Sequence, residues 1–586
     1  MIQRSKYLKI GTCLFISLAF ANSTFGQETV EQIDRTVTVD REFQPVIESA
    51  GKINVSPEVY LPTTEPVSVS YSNYNEPLNG SYELLPLGFA ESRFPSVTPN
   101  KGFLSAGVGH VQTNLIFDYC LQEKNNRLDI WARHRAGWGI KTMANSQLGL
   151  DFSHAFSGAD VFFGVDANNV YFTRYGKYFS YTDTDNMTGG FSIKNYGEIQ
   201  PTEKNAQWEI NTRIGVRSKP NADVSYCVQT GYEAFVMKQG MAEHIINTHA
   251  DLDWARENHH VGAELVVQNH LYSADLSGYA WTPFYIARGD TVKNDHHAIK
   301  FEPYYAYIGN RFRIHAGVNL DFCIGKGKLF LPSPNVAFEA QLTPDWLALY
   351  GGAKGDYQIS SVREHFQYLR YLHPENEIAT TNNRTWVPVD ASLGFKIKPY
   401  KSLLIDLYAH FNLTKYMVFY LPDANGYFNL IGGDFNKWVI GAKAYYHYKD
   451  IVNVTLGGYY NIFNSLKNAD GLTFHDDALY SLPKGHMLDQ PSWGLQLRVD
   501  AKINSKWSIY SDNIFSGGRF ALNDDPTPKA VQLKPIIDLN VGLQYAFNKW
   551  MAAYFQLNNY LHRKHDIVYG YQSQGINFML GFNYTF

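Results

Sequence analysis

The sequence predicts an all-β fold: a transmembrane antiparallel outer-membrane β-barrel of about 22 strands (about 20–22). Three observations carry this. Stretches of ten or more residues alternate apolar and polar side chains. The connections between them alternate short and long. Aromatic residues make up 15% of the chain while mean hydropathy is only −0.29. A helical membrane bundle would be far more apolar, whereas a barrel wall has one face for lipid and one for water.

The alternation is clearest at the end, GINFMLGFNYTF over 575–586. Ile576, Phe578, Leu580, Phe582, Tyr584 and Phe586 share one face, and mostly small or polar residues share the other. Strands of soluble sheets average about 5–6 residues. A tilted transmembrane strand needs about 9–11. The pattern recurs over 311–324, 403–414, 493–503 and 536–547. The polar faces and flanks of these stretches carry Arg311, Arg313, His315, Asp321, Asp406, His410, Arg498 and Asp500. A dry core would reject so many charges. A water-filled lumen accepts them, so these residues are the candidate lumen-facing set.

Short turns occur at Gly309-Asn310, Pro344-Asp345, Lys398 to Lys401, Lys449-Asp450, Asn504 to Lys506 and Asn548-Lys549. Long loops fall near 174–204, 273–295, 360–385, 420–434, 464–489 and 517–532. Outer-membrane barrels have short periplasmic turns and long extracellular loops, so the C-terminus is expected in the periplasm. Trp346, Trp507 and Trp550 follow short turns and fit an aromatic girdle there. At the barrel's start, 102–121 reads as one long strand or two short ones, and 188–200 as strand or loop.

The N-terminus has a basic start (Arg4, Lys6, Lys9) and an apolar run from Ile10 to Ala21. Residues 1–26 are expected to be a cleaved signal peptide, too short to span a bilayer. Residues 27–101 hold eight of the 24 prolines, from Pro45 to Pro99. Such density resists helix and central strand. An extended segment in the lumen or periplasm is expected, or a disordered tail. Residues 102–586 are assigned to the barrel.

The last two strands read FQLNNYLHRKHDIVYGYQSQGINFMLGFNYTF from Phe555 to Phe586. This resembles the C-terminal end of TonB-dependent outer-membrane receptors. Asn558, Asn559, Gly575, Phe578, Gly581, Tyr584 and Phe586 sit at matching places. The resemblance is specific over these strands and architectural over 102–554. It implies a receptor-type barrel in the outer membrane of a Gram-negative bacterium. It also implies that the terminal aromatics Tyr584 and Phe586 are the signal read by barrel-assembly machinery. The proline-rich stretch before the barrel is too short for the family's plug.

Cys120, Cys227 and Cys323 match no zinc motif and cannot build a disulfide framework. They read as wall residues, with a single disulfide as the other reading. No nucleophile elbow or P-loop occurs, and Gly325 to Lys328 reads as a hairpin tip. Glu257 to His260 and Asp295 to His297 fall at opposite ends of the wall, so no shared metal site is expected. No cofactor, catalytic residue or enzyme activity is expected, and a net charge of −4 gives no basis for a nucleic-acid partner.

The loops offer aromatic candidates for ligand or partner contact: Tyr279, Trp281, Phe284 and Tyr285 in one, Phe366 and Tyr371 in another. SVREHFQYLRYL within the second suggests a short helix with Phe366, Leu369, Tyr371 and Leu372 inward. These aromatics either stack on a ligand or pack on one another to fold the loops. The expected function is passage or uptake of a solute or peptide across the outer membrane. The alternative is a non-enzymatic accessory or scaffold barrel bound to an outer-membrane or periplasmic protein. Outer-membrane lipid is the expected surrounding in both.

Overall fold

The computed structural model describes residues 101–586 apart from 139–142, 174–176, 184–190, 199–203, 220–222, 239, 276–290, 294, 325–328, 344–345, 373–383, 423–427, 450, 469–481 and 523–529. The expected leader, nearly all of 27–101, the Gly325 to Lys328 tip, and Tyr279, Trp281, Phe284 and Tyr285 lie outside the described residues.

Twenty-two antiparallel strands close into one barrel, and a three-residue strand, Thr291–Lys293, extends the same sheet. The first five are β1 (Gly102–Gly109), β2 (Gln112–Glu123), β3 (Asn126–Gly137), β4 (Met143–Ala155) and β5 (Ala159–Thr173). Next come β6 (Lys204–Ser218), β7 (Val224–Met237), β8 (Met241–Arg256), β9 (His259–Asp275), β10 (His296–Ile308) and β11 (Phe312–Ile324). Then follow β12 (Phe330–Thr343), β13 (Leu347–Ile359), β14 (Arg384–Tyr400), β15 (Leu403–Pro422), β16 (Phe428–Tyr448) and β17 (Val452–Asn468). The last are β18 (Trp493–Lys502), β19 (Trp507–Gly517), β20 (Ile536–Ala546), β21 (Met551–Asn558) and β22 (Asn577–Thr585).

Each strand pairs with its sequence neighbours, and β1 closes the ring on β22 from Phe103↔Thr585 to Gly109↔Met579. Phe586 takes part directly: its N–H donates to Gly102 O at 2.9 Å, and Gly102 N–H donates to Phe586 O at 2.7 Å. Closure leaves no unpaired strand edge.

The expected alternation is present. On β11, Phe322 is 39% exposed on the outside while Asp321 is 1% exposed on the inside. Outward positions elsewhere carry Phe163, Ile210, Ile440, Leu495 and Leu580. Inward charges pair across strands, as in Lys300–Asp356 at 2.7 Å and Arg213–Asp151 at 2.5 Å. Inward tyrosines lie over glycines of the next strand. The register runs Tyr350, Gly394, Tyr408, Gly441, Tyr459, Gly494 around six strands. A Cβ on Gly441 would come 2.3 Å from the Tyr408 ring, so only glycine leaves room for it.

The short turns named above share one end, although β1–β2 and β7–β8 are also joined by short turns at the other. Lys124 and Glu257 adopt left-handed backbone at two such turns, with φ of 45° and 56°. Asn504 and Asn548 accept from the backbone N–H groups of Trp507 and Trp550 at 2.9 and 2.8 Å, which seats each tryptophan at the rim. Trp346, Trp507 and Trp550 are exposed there, as a girdle requires.

Two expectations are refined. The 102–121 stretch is two strands, β1 and the start of β2. The 420–434 loop is mostly strand: β15 and β16 run 20 and 21 residues and carry the ladder well past a membrane's depth. Within 174–204 an extra hairpin pairs Lys177–Asp183 with Phe191–Glu198, apart from the barrel sheet. The three described cysteines, Cys120, Cys227 and Cys323, are free thiols on β2, β7 and β11.

The wall assignment has a direct test. Leu497 faces outward near the middle of β18, and Gln496 faces the lumen and reaches Asp512. Leu497→Arg should cost about 2–4 kcal/mol in liposomes, while Gln496→Arg should cost under about 1 kcal/mol. Urea titration of the folded barrel, followed by electrophoretic mobility, reads both; equal costs would reverse the face assignment.

Candidate functional site: the mouth at the long-loop end

The connection between β13 and β14 begins with a seven-residue helix, α1 (Val362–Tyr368). Its start is a capping box. Ser361 Oγ accepts from Glu364 N–H at 3.0 Å, and the Glu364 carboxylate accepts from Ser361 N–H at 3.0 Å. A helix this short is marginal alone, so packing must hold it. Val362, Phe366, Leu369 and Leu372 bury one face against Phe235, Met237, Met241 and Tyr272 of β7 to β9. Phe428 and Leu430 of β16, with Val568 and Tyr571 of the last loop, complete the cluster. Each fully buried side chain of this size contributes about 1.5–3 kcal/mol.

Polar contacts carry the same segment across the mouth. The Arg363 guanidinium lies 2.7 Å from the Glu233 carboxylate on β7. Arg363 N–H donates to Glu243 on β8 at 3.1 Å, and Gln367 donates to Glu209 on β6 at 3.2 Å. The Arg370 guanidinium reaches the Met143 sulfur on β4. In a ring of 22 strands, β13 and β4 are nine apart, close to opposite. The segment from Ser361 to Leu372 is therefore a lid laid over the lumen.

A second tie joins other loops at this end. Arg519 is fully buried and donates to the carbonyls of Asp566, at 2.7 Å, and Ile567. Its guanidinium also lies 4.0 Å from the Asp489 carboxylate. Around this tie, Met487, Leu488 and Leu522 pack on Phe419, Phe435 and Phe463 of the tall strands β15 to β17. Burial pushes the Asp489 carboxyl up to about 6, with Arg519 opposing that shift.

Phe366 is 1% exposed, an anchor of the lid rather than a surface group. Tyr371 stacks on Tyr571 at 4.1 Å between ring centres. Of the candidate lumen residues, Arg313 and His315 lie on the inner face of β11, and His315 is 3.6 Å from Glu302. Asp321 shares that face, next to the Lys300 register position. Asp406 accepts from the Tyr350 hydroxyl at 2.7 Å, and His410 packs edge-on against Tyr408. Arg498 and Asp500 form a two-point pair at 2.8 Å, with Asp512 3.7 Å from Arg498. Arg311 is exposed in the turn before β11. These residues are spread along the wall and form no single constellation.

Among the described residues no group of three or more His, Cys, Asp or Glu could hold a metal ion. The two histidine pairs are indeed at opposite ends of β9 and β10: His259 pairs in register with Tyr307, and His296 with His270. Sequence reading passed over Glu209, Glu233, Glu243, Arg363 and Arg519. The first three were legible as charges on the inward parity of their strands. The two arginines lie in loops, where no period marks a facing.

No family model matches this sequence, and no curated protein matches it. Solved structures do. The ferric-catecholate import receptor Fiu of E. coli K12 is 12% identical, with a TM-score of 0.59 over 83% of this chain and 82% of that one. The siderophore receptor PiuA of Acinetobacter baumannii is 11% identical, with a TM-score of 0.59 over 83% and 82%. The ferripyoverdine receptor of Pseudomonas aeruginosa is 11% identical, with a TM-score of 0.59 over 83% and 72%. The fold is thus a closed 22-strand barrel like that of these outer-membrane siderophore receptors. The resemblance read from the C-terminal strands holds at the level of the barrel.

His365 ties the lid to pH. It is buried beside the Tyr420 hydroxyl, 3.1 Å from its Nδ1, with Glu243 and Glu364 as the nearby carboxylates. Burial lowers its pKa from 6.5 to about 4. The undocked lid protonates His365 first, so the His365 contribution to docking is fully present above about pH 6.5 and is lost as pH falls toward 4. Burial raises the Glu364 carboxyl, which acts in the opposite sense. In single-channel recordings at pH 7.5 and 4.5, the parent protein should therefore gain more openings on acidification than His365→Gln, which keeps only the opposing contribution. Separately, Ser361→Ala should loosen the lid by about 1 kcal/mol, read as increased protease cleavage within 361–372.

Proposed function

We propose that this chain is an outer-membrane receptor barrel for inward passage of a solute or peptide, closed at rest by its extracellular lid. The observation that carries this reading is the Ser361 to Leu372 segment, which contacts β4 and β6 to β9 on one side and β16 on the other. A wall of 22 strands encloses a lumen wide enough to need such a closure. The charged and amide-lined inner face suits a hydrated cargo path rather than a packed core. The likeness to siderophore receptors supports a receptor-type role for the barrel.

In this reading the outward apolar faces meet outer-membrane lipid. Strand β22, which carries Tyr584 and is followed by Phe586, is the segment presented to barrel-assembly machinery, because it is also the strand that closes the ring. Residues 1–26 serve as the export signal, and 27–101 act at the periplasmic or lumenal side.

Planar-bilayer conductance tests the reading. Replacing 361–372 with a short Gly-Ser linker should open a steady conductance that the full-length protein lacks. Removing 27–101 as well should raise it further if that segment obstructs the lumen. Silence in all forms would remove the passage reading and favour an accessory barrel, to be sought by crosslinking to outer-membrane partners.

A further inference from the structure

The lid's own cation sits in a site that offers more negative charge and more acceptors than the lid uses. Glu209 on β6 and Glu243 on β8 are both in register with Phe235 on β7, so they flank it on the inner wall. Glu233 lies two residues along β7 on the same face. Neighbouring strands are about 4.8 Å apart, which places the three carboxylates around one aromatic ring. Among the described residues, the Arg363 guanidinium forms its close ion pair with Glu233, while Glu209 and Glu243 act on it from farther off. From the lid, Glu243 meets a backbone N–H and Glu209 a neutral Gln367 amide; on the wall Glu243 also lies 3.5 Å from His270 Nδ1.

The wall beside them holds unused polar atoms. Gln207, on the same face of β6 as Glu209, is 1% exposed, and neither its amide oxygen nor its nitrogen has a hydrogen-bond partner. Asn168 donates to Glu209 at 3.4 Å, yet its own oxygen, also buried, accepts nothing. Each buried polar atom without a partner costs about 1–3 kcal/mol. A latch built only to hold the lid has no use for them. A site whose proper occupant donates several hydrogen bonds does.

Resting on the passage reading above, we propose that Glu209, Glu233 and Glu243 form a recognition site for a guanidinium group on the entering cargo, such as an arginine side chain of a peptide. Arg363 occupies the site in its absence. Guanidinium fits better than ammonium for two reasons. It has five N–H donors in one plane, enough for carboxylates and amide oxygens on four strands, β5 to β8. Its flat face also stacks on aromatic rings, and Phe235, now covered by Phe366 at 6.3 Å between ring centres, presents one. Cargo binding and lid release are then one exchange of cations at the same carboxylates.

The test is fluorescence anisotropy with labelled tri-arginine, tri-lysine and tri-glutamate peptides on the full-length, detergent-solubilised protein. Arg363→Gln, which removes the internal competitor, should bind tri-arginine about tenfold or more tightly than the parent protein. Tri-lysine should gain less and tri-glutamate nothing. Adding Glu233→Gln to that variant should abolish the gain. No gain on Arg363→Gln, a gain that survives Glu233→Gln, or an equal gain for tri-lysine overturns the proposal. Should Arg363→Gln fail to fold by electrophoretic mobility, the 361–372 linker variant, with and without Glu233→Gln, takes its place under the same criteria. Conductance separates the two readings. A linker variant that conducts but ignores tri-arginine removes the guanidinium site alone. One that binds tri-arginine but stays silent removes the passage reading alone.

Discussion

Everything in this molecule depends on the backbone's need for hydrogen bonds in a medium that supplies none. Hydrocarbon leaves a sheet edge unsatisfied at several kcal/mol per group, so a β-structure can cross a membrane only as a ring. The ring here is completed by two short strands from opposite ends of the barrel region, β1 and β22, and by the reciprocal bonds of Gly102 and Phe586. Once the ring exists, each side chain's facing follows from parity alone. Even the lid depends on it, because a lid needs opposing walls to rest on.

The wall and the mouth are stabilised by different physics. In the wall, backbone ladders are continuous, inward charges pair with neighbours, and tyrosines fill the space over glycines on adjacent strands. At the mouth, the ladder pairs only short stretches within the loops, so loops are held by apolar clusters and a few arginines. Arg363 and Arg519 differ instructively. Arg519 donates to backbone carbonyls in full burial, which is a structural tie. Arg363 meets wall carboxylates that belong to the barrel whether or not the lid is there. The first can only hold loops together, whereas the second occupies ground that another cation could take.

Much of the wall was legible from the chain. The parity of 311–324, 493–503 and 575–586 assigned inward and outward faces, and the asparagine-rich turns marked one end. The mouth was less legible. SVREHFQYL showed a helix with Phe366 inward, because a capping box and an i, i+4 apolar spacing are local signals. What Phe366 would meet is not local: its contacts on β7 to β9 lie about a hundred residues earlier or more. The 420–434 stretch misled for a related reason. Polar and glycine residues suggest a loop, but strands rising above the membrane no longer need an apolar outer face, so their alternation fades while the ladder continues.

By itself, then, the sequence determined an antiparallel outer-membrane-type barrel, its alternation of outward and inward faces, and which end carries the long loops. Each of these follows from a two-residue period or from turn chemistry, and both act within a few residues. The tertiary structure decided that the β13–β14 connection lies across the lumen, that three glutamates from three strands surround Phe235, and that Arg363 is seated among them. Those facts depend on how many strands the ring holds and on the register between them. No local stretch of sequence encodes a distance across a ring.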